Sequence, residues 1–191
     1  VIPNYNGMKY LAECMTSLCR EQQNAPGYEV LIIDNASVDG SVEYLQKEWC
    51  GEGVRLISLP ENTGFCHAVN LGIREAKTPY VILLNNDTKA EAGFVRGLYD
   101  AIRENEKIFS VSAKMLMWDR PELIDDAGDR YCVLGWAYSR GKGRPAADYD
   151  KSVPVFSACG GAAIYRRFVF EEIGYFDEEH FAYLEDLDIG Y

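Results

Sequence analysis

The chain lacks most of the signatures that identify an enzyme on sight. Its six cysteines (Cys14, Cys19, Cys50, Cys66, Cys132 and Cys159) form no C-x-x-C pair, and with two histidines there is no zinc-ligand spacing. Thiols scattered this way are expected to be free, used as small apolar residues in a reducing compartment. No G-x-G-x-x-G turn follows the first strand, where Pro3 to Gly7 stand instead, which argues against a nicotinamide or flavin enzyme. A P-loop is missing, which removes most nucleotide hydrolases, and so is a G-x-S-x-G elbow. No apolar run approaches the roughly 18 residues of a membrane span, and there is no signal peptide. Positive charge is scarce: 19 basic residues against 30 acidic ones leave a net charge of −11. That balance argues against nucleic acid and against nonspecific binding to anionic membranes. An anionic ligand would need a metal or local basic groups to offset the field.

What is present is an ordinary globular composition, 48% hydrophobic and 26% charged over 191 residues, enough for one domain with a sizeable core. Val1 stands inside a strand and Tyr191 inside a helix, so both ends are expected to be cut, leaving room for an anchor outside the sequence. The first half alternates strand and helix four times. Val1-Ile2 end a first strand, and a helix follows to about Gln23. Tyr28 to Ile33 is a second strand, with a helix after it that Ser37 or Asp39 would cap. Val54 to Leu59 is a third strand. The run Tyr80-Val-Ile-Leu-Leu84 reads as a fourth, buried on both faces, and ends in Asn85-Asn86-Asp87. Thr88 to Glu91 has the form of a capping box. This alternation predicts right-handed crossovers and a mostly parallel sheet flanked by helices. The second half reads differently: a strand over Ile108 to Met117, an irregular stretch from Trp118 to Asp150, strands over Val153 to Ser157 and Ala162 to Tyr165, and a helix from about Arg167 to Ile173. The expected organisation is one domain, with a nucleotide-binding half over 1–105 and an acceptor-side, catalytic half over 106–191.

In an open α/β sheet, ligands bind beyond the carboxyl ends of the strands. Three acidic clusters fall where the topology brings them together: Asp34, Asp87 and Glu185-Asp186. Each has a plain alternative as a turn, a cap or an acidic first turn of a helix. One or two carboxylates with substrate phosphates is the usual way of holding Mg²⁺, and a late carboxylate is suited to taking a proton from a hydroxyl.

Pro3-Asn4-Tyr5-Asn6, Ile33 to Ser41, Asn62-Thr63-Gly64-Phe65, Leu84 to Thr88, Gly160-Gly161-Ala162 and Phe181 to Asp188 occur in the order and spacing of glycosyltransferase family 2. The chain resembles that family over nearly its whole length, and most closely its rhamnosyltransferase-like branch. The resemblance implies a GT-A fold, a nucleotide-sugar donor (a UDP- or dTDP-sugar), Mg²⁺ or Mn²⁺, and inversion at the anomeric carbon. It implies a glycan or lipid-linked acceptor in cell-surface polysaccharide synthesis, and a cytoplasmic site at or near the inner face of a membrane. By position it assigns Pro3, Tyr5, Asp34 and Asp39 to the base pocket, Asn85 and Asn86 to the donor, and Asp87 to the metal. Gly160 and Gly161 fall beneath the donor sugar. Asp186 falls at the base, with Glu185 beside it. Asn70 faces the donor or packs. Trp136, with Trp118, Tyr131 and Tyr138, either forms part of an aromatic platform for an acceptor or packs in the ordinary way. Arg140, Lys142 and Arg144 form either a lid over the diphosphate or a solvated loop. His67 reads as an ordinary partly buried histidine. A sugar-1-phosphate nucleotidyltransferase and a non-catalytic sugar-nucleotide-binding domain are the alternatives.

Overall fold

The computed structural model describes residues 1–22 and 24–191. Strands β1 (Ile2–Asn4), β2 (Val30–Asp34) and β3 (Val54–Ser58) form a parallel sheet. Helices α1 (Met8–Cys19), α2 (Ser41–Glu48) and α3 (Gly64–Glu75) make the crossovers. Strand β4 (Tyr80–Leu84) lies beside β1: the Val1 nitrogen donates to the Ile82 carbonyl at 2.7 Å, and the Leu84 N–H to the Val1 carbonyl at 3.1 Å. Those two bonds flank Leu83, the pattern of a parallel pair. All five residues of β2 are buried because strands flank both its edges and helices cover both faces.

The second half departs from the expected pattern. After α4 (Phe94–Arg103), the strand expected over Ile108 to Met117 is broken at Ala113-Lys114 into β5 (Ser110–Ser112) and β6 (Met115–Met117). The stretch expected to be irregular holds β7 (Arg120–Asp126), β8 (Asp129–Tyr131) and β9 (Ala137–Ser139) as two small hairpins. Val153 to Ser157 makes only a single bridge, from Ser157 to Asp129. Strand β10 (Ala162–Arg166) runs antiparallel to both β4 and β5 and completes the order β3-β2-β1-β4-β10-β5. So the sheet is parallel over four strands and reversed at β10. Helices α5 (Arg167–Ile173) and α6 (Glu185–Gly190) close the chain.

One layer of core packs Leu11, Met15 and Leu45 against Ile2 and Ile32; the other packs Val69, Ile73, Phe170 and Phe176 against Leu83 and Tyr165. In β4, Val81, Leu83 and Leu84 are buried, while Tyr80 and Ile82 are partly exposed. They line an apolar cavity of about 260 Å³ together with Val1, Tyr28 and Leu84. Helix α4 begins at Phe94 after a left-handed Gly93, not at the expected capping box; the Thr88 hydroxyl instead donates to the Asn85 carbonyl at 2.7 Å. The first helix ends at Cys19; its expected last residue, Gln23, lies outside the described residues. The cysteines are free, as expected, but only Cys14 and Cys66 are buried; Cys19 and Cys50 are exposed.

Candidate active site

The carboxyl ends of β1, β2 and β4 are tied by side-chain amides. Asn4, on β1, is 1% exposed. Its Nδ2 donates to Asp34 Oδ1 at 2.7 Å and to Ser37 Oγ at 3.1 Å, and its Oδ1 accepts from Asn86 Nδ2 at 2.6 Å. One buried amide therefore links the loops after β2 and β4. Asp34 is fully buried: besides Asn4 it accepts from the Ser37 hydroxyl at 2.6 Å and the Ser37 N–H at 2.9 Å. Ser37 and Asn6 lock the two loops further, the Asn6 N–H donating to Ser37 Oγ and the Val38 N–H to Asn6 Oδ1. Gly7 closes the relay, because a Cβ there would stand 2.1 Å from Asn86 Nδ2 and 2.3 Å from Asn4 Oδ1. Asp39 accepts from the Met8 N–H at 2.9 Å and the Ser41 N–H at 3.0 Å, and from the Ser41 hydroxyl. Desolvation pulls its carboxyl upward, but these bonds outweigh that and hold it below the usual range.

The loop after β4 meets the turn before β10. The Asn85 N–H donates to the Gly161 carbonyl at 2.9 Å, and the adjoining Gly160 N–H donates to Asp186 Oδ2 at 3.1 Å. Asp186 thus reaches the β4 strand end through a single Gly160-Gly161 unit. Asp87 is exposed on that strand end. Among the described residues no group of three or more His, Cys, Asp or Glu side chains could hold a metal ion. One free carboxylate is the donor set of a hard cation completed by phosphate oxygens and water, so Mg²⁺ or Mn²⁺ fits there and an all-protein cage does not.

Helix α3 carries the segment that leads to Asp186. The Phe65 N–H donates to the Phe181 carbonyl at 2.7 Å, and Gly64 (φ +87°) lets that carbonyl approach, since a Cβ would sit 2.7 Å from it. Asn70, fully buried, donates to the Phe176 carbonyl at 2.8 Å and accepts from the Phe176 N–H at 3.1 Å. It also donates to Glu178 at 3.0 Å, and His67 Nδ1 lies 2.8 Å from the same carboxylate. The Asn70 bond, then His67, draw the Glu178 carboxyl below its ordinary range. Tyr183 and Leu184 are left-handed (φ 74° and 71°), a strained pair immediately before Glu185.

Asp186 stands among other acids. Glu185 is 7% exposed, with Oε2 buried and unpartnered; burial first, then the Asp186 carboxylate, raises its pKa. Asp129, on β8, is pushed up to about 7 by burial, then by the Asp126 and Asp186 carboxylates. Asp126 and Asp129 are buried and were not among the residues the sequence singled out. Their only signal was the Asp125-Asp126-Ala127-Gly128-Asp129 run in a stretch read as loop.

The family model described as Glycosyl transferase family 2 matches residues 1–174. The chain belongs to glycosyl transferase family 2. Among its curated relatives, the uncharacterized glycosyltransferase YwdF of Bacillus subtilis (strain 168) is 29% identical over 180 residues, covering 94% of this chain and 61% of that protein. The N-acetylglucosaminyl-diphospho-decaprenol L-rhamnosyltransferase of Mycobacterium tuberculosis (strain ATCC 25618 / H37Rv) is also 29% identical, over 84% of this chain and 59% of its own length. The chain therefore spans about three fifths of the length of these relatives. The crystal structure of GalNAc-T7 with UDP, GalNAc and Mn²⁺ superposes with a TM-score of 0.75 at 17% identity, covering the whole of this chain and 39% of that one. The fold is GT-A.

Placed in this family-2 domain, the residues singled out from sequence divide into two sets. Pro3, Tyr5, Asp39, Asn85, Asn86 and Asp87 gather around the ends of β1, β2 and β4, with Tyr5 51% exposed there. Gly160, Gly161, Glu185 and Asp186 gather across from them. Four of the expected positions have surroundings that bear on their roles. Asp34 is enclosed by Asn4 and Ser37, whose three hydrogen bonds hold its carboxylate in the wall. Asn70 spends its amide on Phe176 and Glu178, the packed one of its two expected readings. Trp136 is 72% exposed at a hairpin tip. In the basic run, Arg140 stacks on Tyr149 at 4.6 Å and Lys142 pairs with Asp125 at 3.2 Å.

Proposed function

We propose that this domain is an inverting, metal-dependent glycosyltransferase. It moves a sugar from a nucleotide-diphosphate donor to a hydroxyl of a glycan or lipid-linked acceptor in cell-surface polysaccharide synthesis, on the cytoplasmic side. The observation that carries this reading is the Gly160-Gly161 unit, bonded to the Asp87-bearing strand end on one side and to Asp186 on the other. That connection supports reading Asp87 as the carboxylate beside the donor diphosphate and Asp186 as the one beside the acceptor hydroxyl.

Tyr5 and the wall ordered by Asn4 and Asp39 receive the base. Asp87, with Asn85 and Asn86 beside it, is the residue that would hold Mg²⁺ or Mn²⁺. When bound, the cation neutralises charge on the diphosphate leaving group. Asp186 takes the proton from the acceptor hydroxyl as its oxygen bonds to the anomeric carbon. The bond from that carbon to the phosphate oxygen breaks, the electron pair stays on the departing nucleoside diphosphate, and the face of attack inverts the centre. Burial, then the neighbouring Asp186 carboxylate, raises the pKa of Glu185 beside it.

A panel of UDP-, dTDP- and GDP-sugars, with and without Mg²⁺ or Mn²⁺, tests this by thermal shift and by product release. The expected result is a metal-dependent rise in midpoint with one donor, and release of nucleoside diphosphate. Release of pyrophosphate from a sugar-1-phosphate and nucleoside triphosphate would overturn the reading in favour of a nucleotidyltransferase. Binding without turnover of any donor, across a panel of acceptors, would reduce the domain to a binder.

A further inference from the structure

The segment that delivers Asp186 is hung from helix α3 at successive points. Asn70, fully buried, donates to the Phe176 carbonyl at 2.8 Å and accepts from the Phe176 N–H at 3.1 Å. An amide that both donates to and accepts from one residue fixes the orientation of its backbone as well as its place, as a neighbouring strand would. Further along, Glu178 accepts from Asn70 and lies 2.8 Å from His67 Nδ1. The Cys66 thiol donates to the His180 carbonyl at 3.6 Å, and the Phe65 N–H donates to the Phe181 carbonyl at 2.7 Å. The donors run back along α3 as the acceptors run forward along the segment.

The amino end of α3 is fixed in turn to the donor wall. Asn35, buried in the loop after β2, donates through Nδ2 to the Gly64 carbonyl at 3.0 Å and accepts from the Thr63 hydroxyl at 3.1 Å. Its own N–H donates to the Asn4 carbonyl at 2.7 Å. One helix is thus referenced to the donor wall at its start and carries the Asp186 segment along its length. Beyond Phe181, Tyr183 and Leu184 are left-handed and are 84% and 59% exposed. Such a conformation in a residue with a Cβ costs free energy and persists only where the flanking structure imposes it. Downstream it is imposed by the burial of Glu185 and by the Gly160 N–H on Asp186 Oδ2. Upstream the constraint comes from α3.

We propose that Asn70 is a positioning residue for Asp186. By clamping Phe176 to α3 it sets the start and direction of the span that ends at Asp186, and so the distance between that carboxylate and the donor wall. An apolar side chain would fill the same space without fixing a backbone, which is a reason for burying an amide there despite its cost. With the clamp removed, the left-handed pair can relax and carry Asp186 off its bond to Gly160. This role rests on the reading of Asp186 as the base.

The test is Asn70→Ala, with Glu178→Ala as a milder variant because Glu178 is at the surface. In amide NMR spectra the Gly160 proton reports its bond to Asp186. It is expected to move upfield in both variants, in the direction that Asp186→Ala moves it. The Asn85 amide, bonded to the adjoining Gly161 carbonyl, should keep its place. With a donor that the parent chain turns over, kcat is expected to fall roughly 10²-fold in Asn70→Ala, the order of loss for an ångström of misplacement. The donor KM and the affinity for UDP with Mg²⁺ should not change. In an Asp186→Asn background the same substitution should cost nothing more, as two residues acting through one group require. A Gly160 resonance that stays in place overturns the proposal, as does an undiminished rate. So does a loss of rate that is as large with Asp186→Asn as without it, which is the mark of a structural defect. Should Asn70→Ala fail to fold, Glu178→Ala decides by the same readings, with a smaller loss expected. If the parent chain transfers no sugar, the reading of the domain as a transferase falls, and the Gly160 resonance still decides whether Asn70 positions Asp186.

Discussion

The two walls of the cleft are built on opposite principles. The donor wall, at the ends of β1, β2 and β4, is a relay of neutral amides around one enclosed carboxylate, with Asn4 bonded to Asp34, Ser37 and Asn86. The opposing wall stacks Asp126, Asp129, Glu185 and Asp186 together, with a buried Glu185 oxygen left unpartnered and two left-handed residues feeding the helix. A satisfied relay is preorganised, and its hydrogen bonds offset the cost of burying the carboxylate. Like charges crowded out of water are held at a cost, seen in the raised pKa values of Asp129 and Glu185. The first arrangement suits recognition; the second suits proton transfer.

The sharpest break in that contrast is Asp186→Asn. It is expected to reduce transfer by roughly 10²–10⁴-fold, the range of general-base catalysis, while donor binding by calorimetry stays near that of the parent chain; an unimpaired rate would remove Asp186 from the reaction. Next is Asp87→Ala on the donor wall. Metal-dependent donor affinity should fall by roughly 10–100-fold, the usual cost of disturbing a metal site, and equal affinity of the parent chain with and without metal would refute the role. Asn4→Ala strikes the relay itself. It leaves Asp34 short of a donor and is expected to cost about 1–3 kcal/mol of stability, with donor affinity lowered; a urea midpoint equal to the parent's would show that the relay is not what holds the loops.

The last break concerns pH. Asp129 has a folded pKa raised from 3.8 to about 7. Between those values the native state binds more protons than the unfolded state, so stability falls as pH rises from about 4 to about 7 and levels off above. Asp129→Asn should remove most of that slope in denaturation curves across the window, whereas Asp39→Asn, on the other wall, should not. If the slope survives Asp129→Asn, Asp129 is not the group that titrates.

Much of the donor half was legible because its signals are local. Val-Ile-Leu runs ending in small polar residues read directly as buried parallel strands, and the order Asp34, Asp87, Asp186 followed from motif spacing. The roles of Asp34 and Asn70 were not legible. Both stand where a ligand-facing residue would, and only the positions of Ser37 and Phe176 show that their hydrogen-bonding capacity is spent inside the protein. Asp126 and Asp129 stayed hidden for a related reason: hairpins β6–β7 and β8–β9 are short, with bulged pairing between β6 and β7, and leave little periodicity to detect.

The sequence by itself determined the family, the alternation of strand and helix through β4, and the presence of one exposed carboxylate on that strand's end. These depend on nearest-neighbour pattern and on the ordered spacing of short motifs. Only the tertiary structure decided that β10 runs antiparallel between β4 and β5, that Gly160-Gly161 joins Asp87's strand to Asp186, and that Asp186 is surrounded by acids. Those facts depend on which groups meet across as many as 86 residues of chain, and a periodicity of two or 3.6 residues carries no record of that partner.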